Sequence, residues 1–311
     1  MSFALTVKRE VSKLPLKEKC CVLAELLGVI CFGGTIKNNC LTVKTESAAI
    51  ARRIFLLTKE CFGVSPVIHT KEGRSGSIHT VIVAPEELLP TVLEELRLVK
   101  NSHDLKNFIS YRLDPELVER DCCKRAVMRG AFLVSGSCMA PDKTYHLEVT
   151  TNHLKLSRDF LKILDYFEIP GKMIIRKSNY VIYLKGSEKI FDFLGNIGAS
   201  NSMLEFQNVR IIKEVKNNIN RMINCESANL NKTLSASFNQ ASAIEKIDRT
   251  IGIESLEPGL REIARLRLEN KDVTLKELGQ MLKHPISKSG VNHRLKKLEE
   301  IASGLEEKEG R

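Results

Sequence analysis

The sequence predicts an α+β protein with two pseudo-symmetric halves, followed by a long helical linker and a small all-α domain. Three features of the 311-residue chain support this: an internal repeat, an uninterrupted polar helical pattern after it, and three short apolar helical patterns near its end. Repetition of one supersecondary unit is typical of folds with internal symmetry. Helices that alternate with antiparallel strand patterns favour the α+β class.

The repeat is carried by cysteine, alanine and glycine at one fixed offset. Five positions of the first copy recur in the second: Cys20, Cys21, Ala24, Gly28 and Gly34 correspond to Cys122, Cys123, Ala126, Gly130 and Gly136. Glycine inside an apolar helical stretch is unfavourable unless another backbone must come close. We therefore expect two helices to cross at Gly28 and Gly130 in a tight seam.

Each copy continues with the same order of elements: a strand, an amphipathic helix, a hairpin and a closing helix. The predicted strand, helix and hairpin strands are 41–45, 48–61, 64–70 and 77–83 in the first copy and 147–151, 154–167, 172–177 and 180–184 in the second. The first hairpin turn is rich in glycine and serine, from Glu72 to Gly76. Helix, strand, helix, hairpin and helix therefore occur twice.

The two glycine-centred segments resemble the LAGLIDADG motif of homing endonucleases. They read LLGVICFGGTI at 26–36 and MRGAFLVSGSC at 128–138. In active members the aspartate before the last glycine of the motif binds the catalytic metal, and the matching residues here are Gly33 and Ser135. Neither side chain offers the anionic oxygen that Mg²⁺ prefers. The resemblance thus implies a scaffold that does not cut DNA; the alternative is an endonuclease that uses other carboxylates, such as Glu25 or Glu148.

After the repeats, residues 205–252 predict a long polar helix with one apolar stripe, because asparagines and bases separate apolar residues at helical spacing. Residues 253–303 then show three short helices. The first spans the apolar positions from Leu260 to Leu268, and Thr274 with Glu277 forms a capping box that opens the second. Three short helices with a turn before the last indicate a helix-turn-helix domain.

The third helix is predicted to start at Ser287 or Ser289 and to bury Val291, Leu295, Leu298 and Ile301. At about 100° per residue the opposite face is donor-rich and basic. We expect it to enter the major groove of DNA. The predicted DNA-binding residues are Ser287, Lys288, Ser289, Asn292, His293, Arg294, Lys296 and Lys297. The alternatives are a solvated face or a surface for an acidic protein.

Over nearly its whole length the chain resembles the WhiA family of bacterial regulators, most distinctively at 224–247 and 287–295. The resemblance implies a non-enzymatic DNA-binding regulator of cell division, chromosome segregation and, in spore formers, sporulation. It implies a degenerate LAGLIDADG-like domain at 1–204, with repeats at about 20–100 and 122–200, a helical linker at 205–252, a helix-turn-helix domain at 253–303 and a charged tail at 304–311. A protein-interaction scaffold is the third alternative, with other transcription or division proteins as partners.

Composition agrees with an anionic partner, either nucleic acid or an acidic membrane surface. The net charge is +10 and the pI is near 9.1, while tryptophan is absent. Since single strands are usually bound on aromatic faces, we expect double-stranded DNA. No apolar run of membrane-spanning length and no signal-peptide pattern occurs, so we expect a cytoplasmic, nucleoid-associated protein that does not bind membranes. The two repeats already supply a pseudo-twofold, which favours a monomer.

Metals and cofactors are not expected from the sequence. The nine cysteines form no Cys-x-x-Cys pair, and the adjacent pairs at 20–21 and 122–123 have poor geometry for chelating one zinc ion. We therefore interpret them as small buried thiols at the start of the seam helices. His69 and His79 lie on the predicted hairpin and could face each other.

The first domain also carries dispersed bases, from which we expect salt-sensitive affinity for DNA. These bases are Arg52, Arg53, Lys71, Arg74, Lys155, Arg158, Arg176 and Lys177.

Overall fold

The computed structural model describes residues 2–73, 76–99 and 109–309. The helices that carry the repeat lie at the centre of its N-terminal part. Side chains are described as far as residue 305. Arg74 and Ser75 of the predicted turn, residue 100 at the end of the first repeat, and residues 310–311 of the tail lie outside the described residues. The chain divides into two units, Met1–Glu214 and Val215–Arg311.

The first unit contains the two repeats. After α1 (Phe3–Val11), the first repeat consists of α2 (Lys19–Gly33), β1 (Gly34–Lys37), β2 (Cys40–Thr45), α3 (Ala48–Phe62), β3 (Val67–Gly73), β4 (Gly76–Ala84) and α4 (Leu89–Glu95). The second consists of α5 (Asp121–Ser135), β5 (Gly136–Cys138), β6 (His146–Thr151), α6 (Leu154–Tyr166), β7 (Lys172–Arg176), β8 (Asn179–Lys185) and α7 (Ser187–Ile197).

Each repeat forms a four-stranded antiparallel sheet, in the orders β1-β2-β4-β3 and β5-β6-β8-β7. The six predicted strands are present, although β3 runs over Val67–Gly73 and not over the predicted 64–70, and the sequence interpretation missed β1 and β5. Between β1 and β2, Asn38 and Asn39 have φ of 50° and 56°. Asparagine tolerates this left-handed region, and two such residues in succession are typical of a tight hairpin turn. Each seam helix therefore leads directly into the edge strand of its own sheet.

The seam between α2 and α5 is as close as the glycines predict. A Cβ added at Gly28 would lie 2.5 Å from the carbonyl oxygen of Val127, and one added at Gly130 would overlap the carbonyl oxygen of Glu25. The two backbones thus touch where each helix has no side chain. Apolar residues on both sides of the crossing are fully buried, among them Leu26 and Phe132. The crossing fixes the register between the repeats.

A buried ion cluster lies beside the crossing. Glu25 on α2 is 1% exposed and accepts hydrogen bonds at 2.7 and 2.8 Å from Arg53 on α3 and at 2.8 Å from Arg129 on α5. Arg53 also donates to the carbonyl of Leu14, and Arg129 donates to that of Ile197 at 3.2 Å. One carboxylate therefore links both repeats.

Helix α8 (Ser200–Thr250) is a continuous helix of 51 residues. Its first turn is capped by a residue far away in sequence. The Glu10 carboxylate accepts hydrogen bonds from the backbone N–H groups of Asn201 at 2.7 Å and Ser202 at 2.9 Å. A carboxylate there also offsets the positive end of the helix dipole. Farther along, apolar side chains such as Ile212 and Met222 are exposed. The long helical linker predicted from the polar pattern is confirmed.

The second unit is all-α. It contains the end of α8, a 3₁₀ turn at Ile253–Ser255, and the helices α9 (Pro258–Glu269), α10 (Leu275–Gln280) and α11 (Lys288–Glu309). Its buried cluster includes Ile244 and Ile247 of α8 together with Ile263, Leu278 and Leu295. A fragment that starts at residue 253 would therefore lack part of this core.

Candidate nucleic-acid interface

A buried arginine fixes the end of α9. Arg267 is 1% exposed, and its guanidinium donates to the carbonyl of Val273 at 2.9 Å and to that of Asn270 at 3.4 Å. The Ser237 hydroxyl of α8 lies 3.4 Å from the same nitrogen. Burial lowers the pKa of Arg267. The sequence interpretation missed this residue, although position 267 is in phase with the buried positions 260, 263 and 264.

The capping box predicted at the start of α10 is present. The Thr274 hydroxyl accepts from the N–H of Glu277 at 3.4 Å, and the Glu277 carboxylate accepts from the N–H of Thr274 at 2.8 Å. The backbone hydrogen bond to Thr274 lowers the pKa of Glu277 because it stabilises the charged form. Helix α10 ends at Gln280, earlier than the predicted apolar pattern, which leaves Met281 exposed and Leu282 buried.

The turn between α10 and α11 passes very close to α10. A Cβ at Gly279 would lie 2.5 Å from the carbonyl oxygen of Ile286, whose N–H donates to the carbonyl of Gly279 at 3.1 Å. The N–H of Lys283 donates to the Glu262 carboxylate of α9 at 2.7 Å. These contacts set the angle at which α11 leaves the turn.

Helix α11 starts where the sequence predicts. Ser287 is its N-cap, with a hydroxyl that accepts from the N–H of Gly290 at 3.3 Å. The hydroxyls of Ser287 and Ser289 lie 2.8 Å apart. Val291, Leu295 and Leu298 are buried against the rest of the unit, as their spacing predicts, and Ile301 is half-buried.

The opposite face of α11 is open. Lys288, Ser289, His293 and Lys296 are exposed, and Asn292 is half-buried beside them. Hydroxyl, amide, imidazole and ammonium groups are the donors and acceptors that read base edges in a major groove. The predicted residues come together on this surface of the second unit.

Two of the predicted basic residues have partners on other elements of the unit. Arg294 is half-buried and donates to the carbonyl of Gly259 at 3.3 Å, which ties α11 to the start of α9. Lys297 pairs with the exposed Glu257 carboxylate at 3.3 Å. Both side chains lie beside the open face. Their assignment to DNA stays a prediction, and their contacts indicate that a phosphate would compete with an existing partner.

Charge is graded along α11 and the turn before it. Five Lys or Arg residues and no acid occur from residue 283 to 297, whereas Glu299 and Glu300 follow at once. The N-terminal half of the helix is thus positive. The far end is flanked by a cleft that Glu299 and Ser303 share with Arg249 of α8. A basic, donor-rich helix start with acids at the distal end suits insertion of that start into a groove.

In the first unit, Gly33 and Ser135 stand at the motif positions that hold metal-binding aspartates in endonucleases. Both residues make packing or helix contacts. A Cβ at Gly33 would lie 2.7 Å from the Cβ of Val134, and the Ser135 hydroxyl donates to the carbonyl of Ala131 at 3.0 Å. The alternative metal ligands considered from the sequence are engaged elsewhere. Glu25 is in the buried ion cluster, and Glu148 lies 3.2 Å from His146 and 3.6 Å from Arg176.

The dispersed bases of the first unit fall into different environments. Arg52, Lys71, Lys155, Arg158 and Lys177 are exposed. Arg53 is 3% exposed and paired with Glu25, so the expectation that it is available to DNA is wrong. A guanidinium held by a carboxylate inside a core cannot be withdrawn without leaving a buried charge unpaired. Arg74 lies outside the described residues.

Two expectations about metal-binding side chains also need correction. His69 pairs in register with Thr80 and His79 with Thr70, so the two histidines point to opposite faces of the sheet. The cysteines at the start of α2 and α5 are not uniformly buried: Cys123 is buried, Cys20 and Cys21 are half-buried and Cys122 is exposed. Their four sulfurs, treated as separate pairs in the sequence interpretation, come together.

No helix within the described ranges has both the length and the apolar character needed to cross a membrane.

Comparison with family models gives three consecutive matches. Residues 19–99 match the WhiA N-terminal LAGLIDADG-like domain, residues 124–216 the WhiA LAGLIDADG-like domain, and residues 219–302 the WhiA C-terminal HTH domain. Together they span most of the chain and cover both units.

Similar proteins and structures extend this result. A probable cell division protein WhiA from Alkaliphilus metalliredigens is 41% identical over 310 residues, covering 97% of this chain and 98% of that protein. Another from Caldicellulosiruptor saccharolyticus is 43% identical over 312 residues, covering 98% and 96%. The crystal structure of full-length DUF199/WhiA from Thermatoga maritima has a TM-score of 0.60 at 25% identity, covering 97% of this chain and 98% of that one. The predicted fold class is confirmed.

Proposed function

This chain belongs to the WhiA family, and we propose that it is a sequence-specific, non-catalytic regulator that binds double-stranded DNA. The observation that carries this proposal is the open face of α11. Ser289, His293 and Lys296 project from a helix whose other side is locked into the core by Val291 and Leu295. A rigid helix with its polar groups outward is the geometry that direct readout needs.

The roles of individual side chains follow from their positions on this helix. Asn292 suits adenine, where an amide can donate and accept at once, and Lys296 suits guanine, which presents two acceptors. His293 is exposed on the same side of the helix. Lys288, at the helix start, and Lys297, at the edge of the face, suit phosphates. Ser287 and Ser289 would present hydroxyls and backbone N–H groups to the same strand.

The first unit serves in this proposal as a scaffold that adds non-specific affinity. Exposed bases such as Arg52, Lys155 and Arg158 supply positive charge, and the overall charge of +10 favours a polyanion. The predicted boundaries, with a linker at 205–252 and a helix-turn-helix domain at 253–303, need one revision for fragment work. Because Ile244 and Ile247 belong to the core of the second unit, a fragment should begin near Val215.

The cellular role is proposed from the relatives. Those described above are called probable cell division proteins, so we place this chain in control of cell division. The family resemblance adds chromosome segregation and, in spore formers, sporulation. A cytoplasmic monomer on the nucleoid follows from DNA binding and from the two repeats in one chain, with other transcription or division proteins as additional partners.

Selection from random duplex DNA tests this function directly. The full-length protein is incubated with a pool of random duplexes at moderate salt, and the bound fraction is sequenced over several rounds. We expect one motif to be enriched. A variant with His293→Ala and Lys296→Ala should enrich no motif while it still retains DNA at low salt, and Arg249→Ala is the charge control at the far end of α11. Failure of the wild type to enrich a motif would contradict the proposal.

Absence of cleavage is tested separately. Purified protein with supercoiled and genomic DNA should leave both strands intact in Mg²⁺ or Mn²⁺, because the motif positions hold Gly33 and Ser135. Restoring aspartate at both positions should not recover cutting, since the side chain at 33 would collide with Val134. Site-specific double-strand breaks that disappear with a chelator would show an enzyme.

A further inference from the structure

Four thiols gather where the two seam helices begin. Cys20 and Cys21 lie in the first turn of α2, and Cys122 and Cys123 lie in the first turn of α5. All four Sγ atoms lie within 4.8 Å of one another, and the sulfurs within each adjacent pair are 4.0 Å apart. The pairs are related by the repeat, so each helix supplies two sulfurs from matching positions.

The position of this cluster is set by backbone contacts. Gly28 and Gly130 bring α2 and α5 together two turns farther along, where a Cβ on either would collide with the other helix. Glu25, held by Arg53 and Arg129, locks the helices between the crossing and the cysteines. The distance between the two cysteine pairs is thereby fixed by main-chain geometry, and only the side-chain rotamers remain adjustable.

Donor type and spacing together indicate the ligand. Four thiolates are a soft donor set that selects Zn²⁺ or iron–sulfur clusters. A tetrahedral zinc ion with Zn–S bonds of about 2.3 Å holds its sulfurs about 3.8 Å apart. The observed separations exceed this by less than about 1 Å, a gap that rotation of the side chains can close. An iron–sulfur cluster would hold its thiolates farther apart, because several iron and sulfide ions lie between them.

The surroundings suit a site with net negative charge. Both helix N-termini present the positive end of the helix dipole. Lys17 and Arg125 line the same cleft as Cys21 and Cys122, and the Glu25 carboxylate in that cleft is already neutralised by Arg53 and Arg129. The nearby Asp121 carboxylate accepts from the Tyr166 hydroxyl at 2.6 Å. Because Cys122 is exposed and Cys20 and Cys21 are half-buried, an ion can reach the sulfurs from solvent.

We propose that Cys20, Cys21, Cys122 and Cys123 bind one Zn²⁺ ion per chain in a tetrathiolate site that joins the two repeats at the N-terminal end of the seam. All four positions of the ion are filled by protein sulfur, which is typical of structural sites. The ion therefore stabilises the fold of the first unit and takes no part in hydrolysis. The site is separate from the motif positions Gly33 and Ser135, which lie at the opposite ends of α2 and α5.

Cobalt substitution tests this site with the metal alone as the probe. Full-length protein is purified with a reductant, stripped with a chelator and titrated anaerobically with Co²⁺. We expect saturation at one equivalent, with thiolate-to-cobalt charge transfer and the strong visible bands of tetrahedral cobalt. One equivalent of Zn²⁺ should then abolish the colour and raise the melting temperature. Metal analysis of protein that was never stripped should find one zinc per chain.

Matched variants separate a metal site from general thiol chemistry. Cys20→Ser with Cys122→Ser removes one ligand from each repeat and should abolish stoichiometric binding. Cys40→Ser with Cys225→Ser removes two thiols outside the cluster and should leave the titration unchanged. Circular dichroism checks the fold of both. If the first pair does not fold, Cys122→Ser alone, an exposed position, should lose roughly a quarter of the charge-transfer intensity because one of four thiolates is gone.

Three results would overturn the proposal. The reduced wild type could show no saturable thiolate bands with Co²⁺. The Cys20/Cys122 double variant could bind as much metal with the same bands as the control variant. Mass spectrometry could find the native protein two hydrogens lighter for a disulfide between the repeats, with no metal taken up after reduction.

Discussion

The two units of this protein place their polar groups in opposite ways. In the first unit, charged residues near the seam face inward: Glu25, Arg53 and Arg129 neutralise one another beside the crossing of α2 and α5. In the second unit the buried polar side chains among the described residues are Ser237, Gln240 and Arg267, and the polar residues of α11 face outward. Buried ion clusters fix geometry, whereas exposed polar faces are available to ligands. The difference therefore separates a unit whose buried charges hold its own halves together from a unit that presents polar groups to solvent, where the proposed function has them meet DNA.

The motif positions of the first unit support the same distinction. Gly33 is packed against Val134, and Ser135 is bonded to its own helix. Gly33 leaves room for the Val134 side chain, and the Ser135 hydroxyl hydrogen-bonds within the last turn of its own helix. The LAGLIDADG-like fold is thus retained while the positions that serve metal in endonucleases have packing roles.

The largest expected effect is on the buried ion cluster. We expect Glu25→Gln to lower the free energy of unfolding of the first unit by roughly 3–5 kcal/mol, because two guanidinium groups lose their buried anion. The matched control is Glu148→Gln, which disrupts a more exposed pair and should cost about 1 kcal/mol or less. Urea denaturation of full-length variants measures both. Equal losses in the two variants would mean that the cluster does not hold the seam.

The next effect is on the core beneath α11. Leu295→Ala should destabilise the second unit by roughly 2–5 kcal/mol, since it opens a cavity beneath the helix. Leu230→Ala is the same chemical change on an exposed part of α8. Apart from the difference in helix propensity between leucine and alanine, it should lower the free energy of unfolding by less than about 0.5 kcal/mol. Thermal unfolding followed by circular dichroism checks the pair. A small effect at Leu295 would show that α11 is not anchored as described.

Much of this contrast could be predicted from sequence because it rests on local patterns. The repeat, the seam glycines Gly28 and Gly130, and the apolar spacing of Val291, Leu295 and Leu298 all have short-range signatures. The capping box at Thr274 is likewise a four-residue pattern. Helical angles alone predict that Ser289, His293 and Lys296 are exposed, and they are, while their contact with DNA stays a prediction.

The missed features depend on contacts between distant segments. Strands β1 and β5 are only four and three residues long, too short for alternation, although the Asn38–Asn39 turn was a usable signal for the first. Arg267 and Glu25 each stand at a position that is in helical phase with buried apolar residues. That spacing is a signal that their side chains are buried. The four-cysteine cluster forms only when α2 and α5, which are about a hundred residues apart in sequence, pack side by side in the folded chain.

A smaller effect concerns the start of α10. Thr274→Ala should lower the stability of the second unit by about 1 kcal/mol because the capping hydrogen bond is lost, whereas Thr274→Ser should keep it. The pKa of Glu277 is lowered in the folded state, so its contribution is present above the unfolded pKa and is lost as the pH falls through the folded one. Stability measured against pH should therefore fall more steeply below the ordinary glutamate range in the wild type than in Glu277→Gln.

The smallest effect distinguishes two lysines of α11. Lys288→Ala should weaken binding to all duplexes and reduce the slope of log affinity against log salt by about 1, as expected for one lost phosphate contact. Lys297→Ala should change the slope less, because Lys297 already pairs with Glu257 at 3.3 Å. Fluorescence anisotropy over a salt series measures both slopes. A larger change for Lys297 would place the phosphate backbone on the other edge of the helix.

The central claim is that the outward face of α11 reads DNA sequence, and the most direct test is selectivity. Affinities of full-length wild type, Asn292→Ala, His293→Ala and Lys296→Ala are measured for the selected duplex and a scrambled one, with Arg249→Ala as the control. We expect each of the three to lose on the order of 1–3 kcal/mol of discrimination, with folding and low-salt binding retained and the control unchanged. Unchanged discrimination in all three variants would contradict the account.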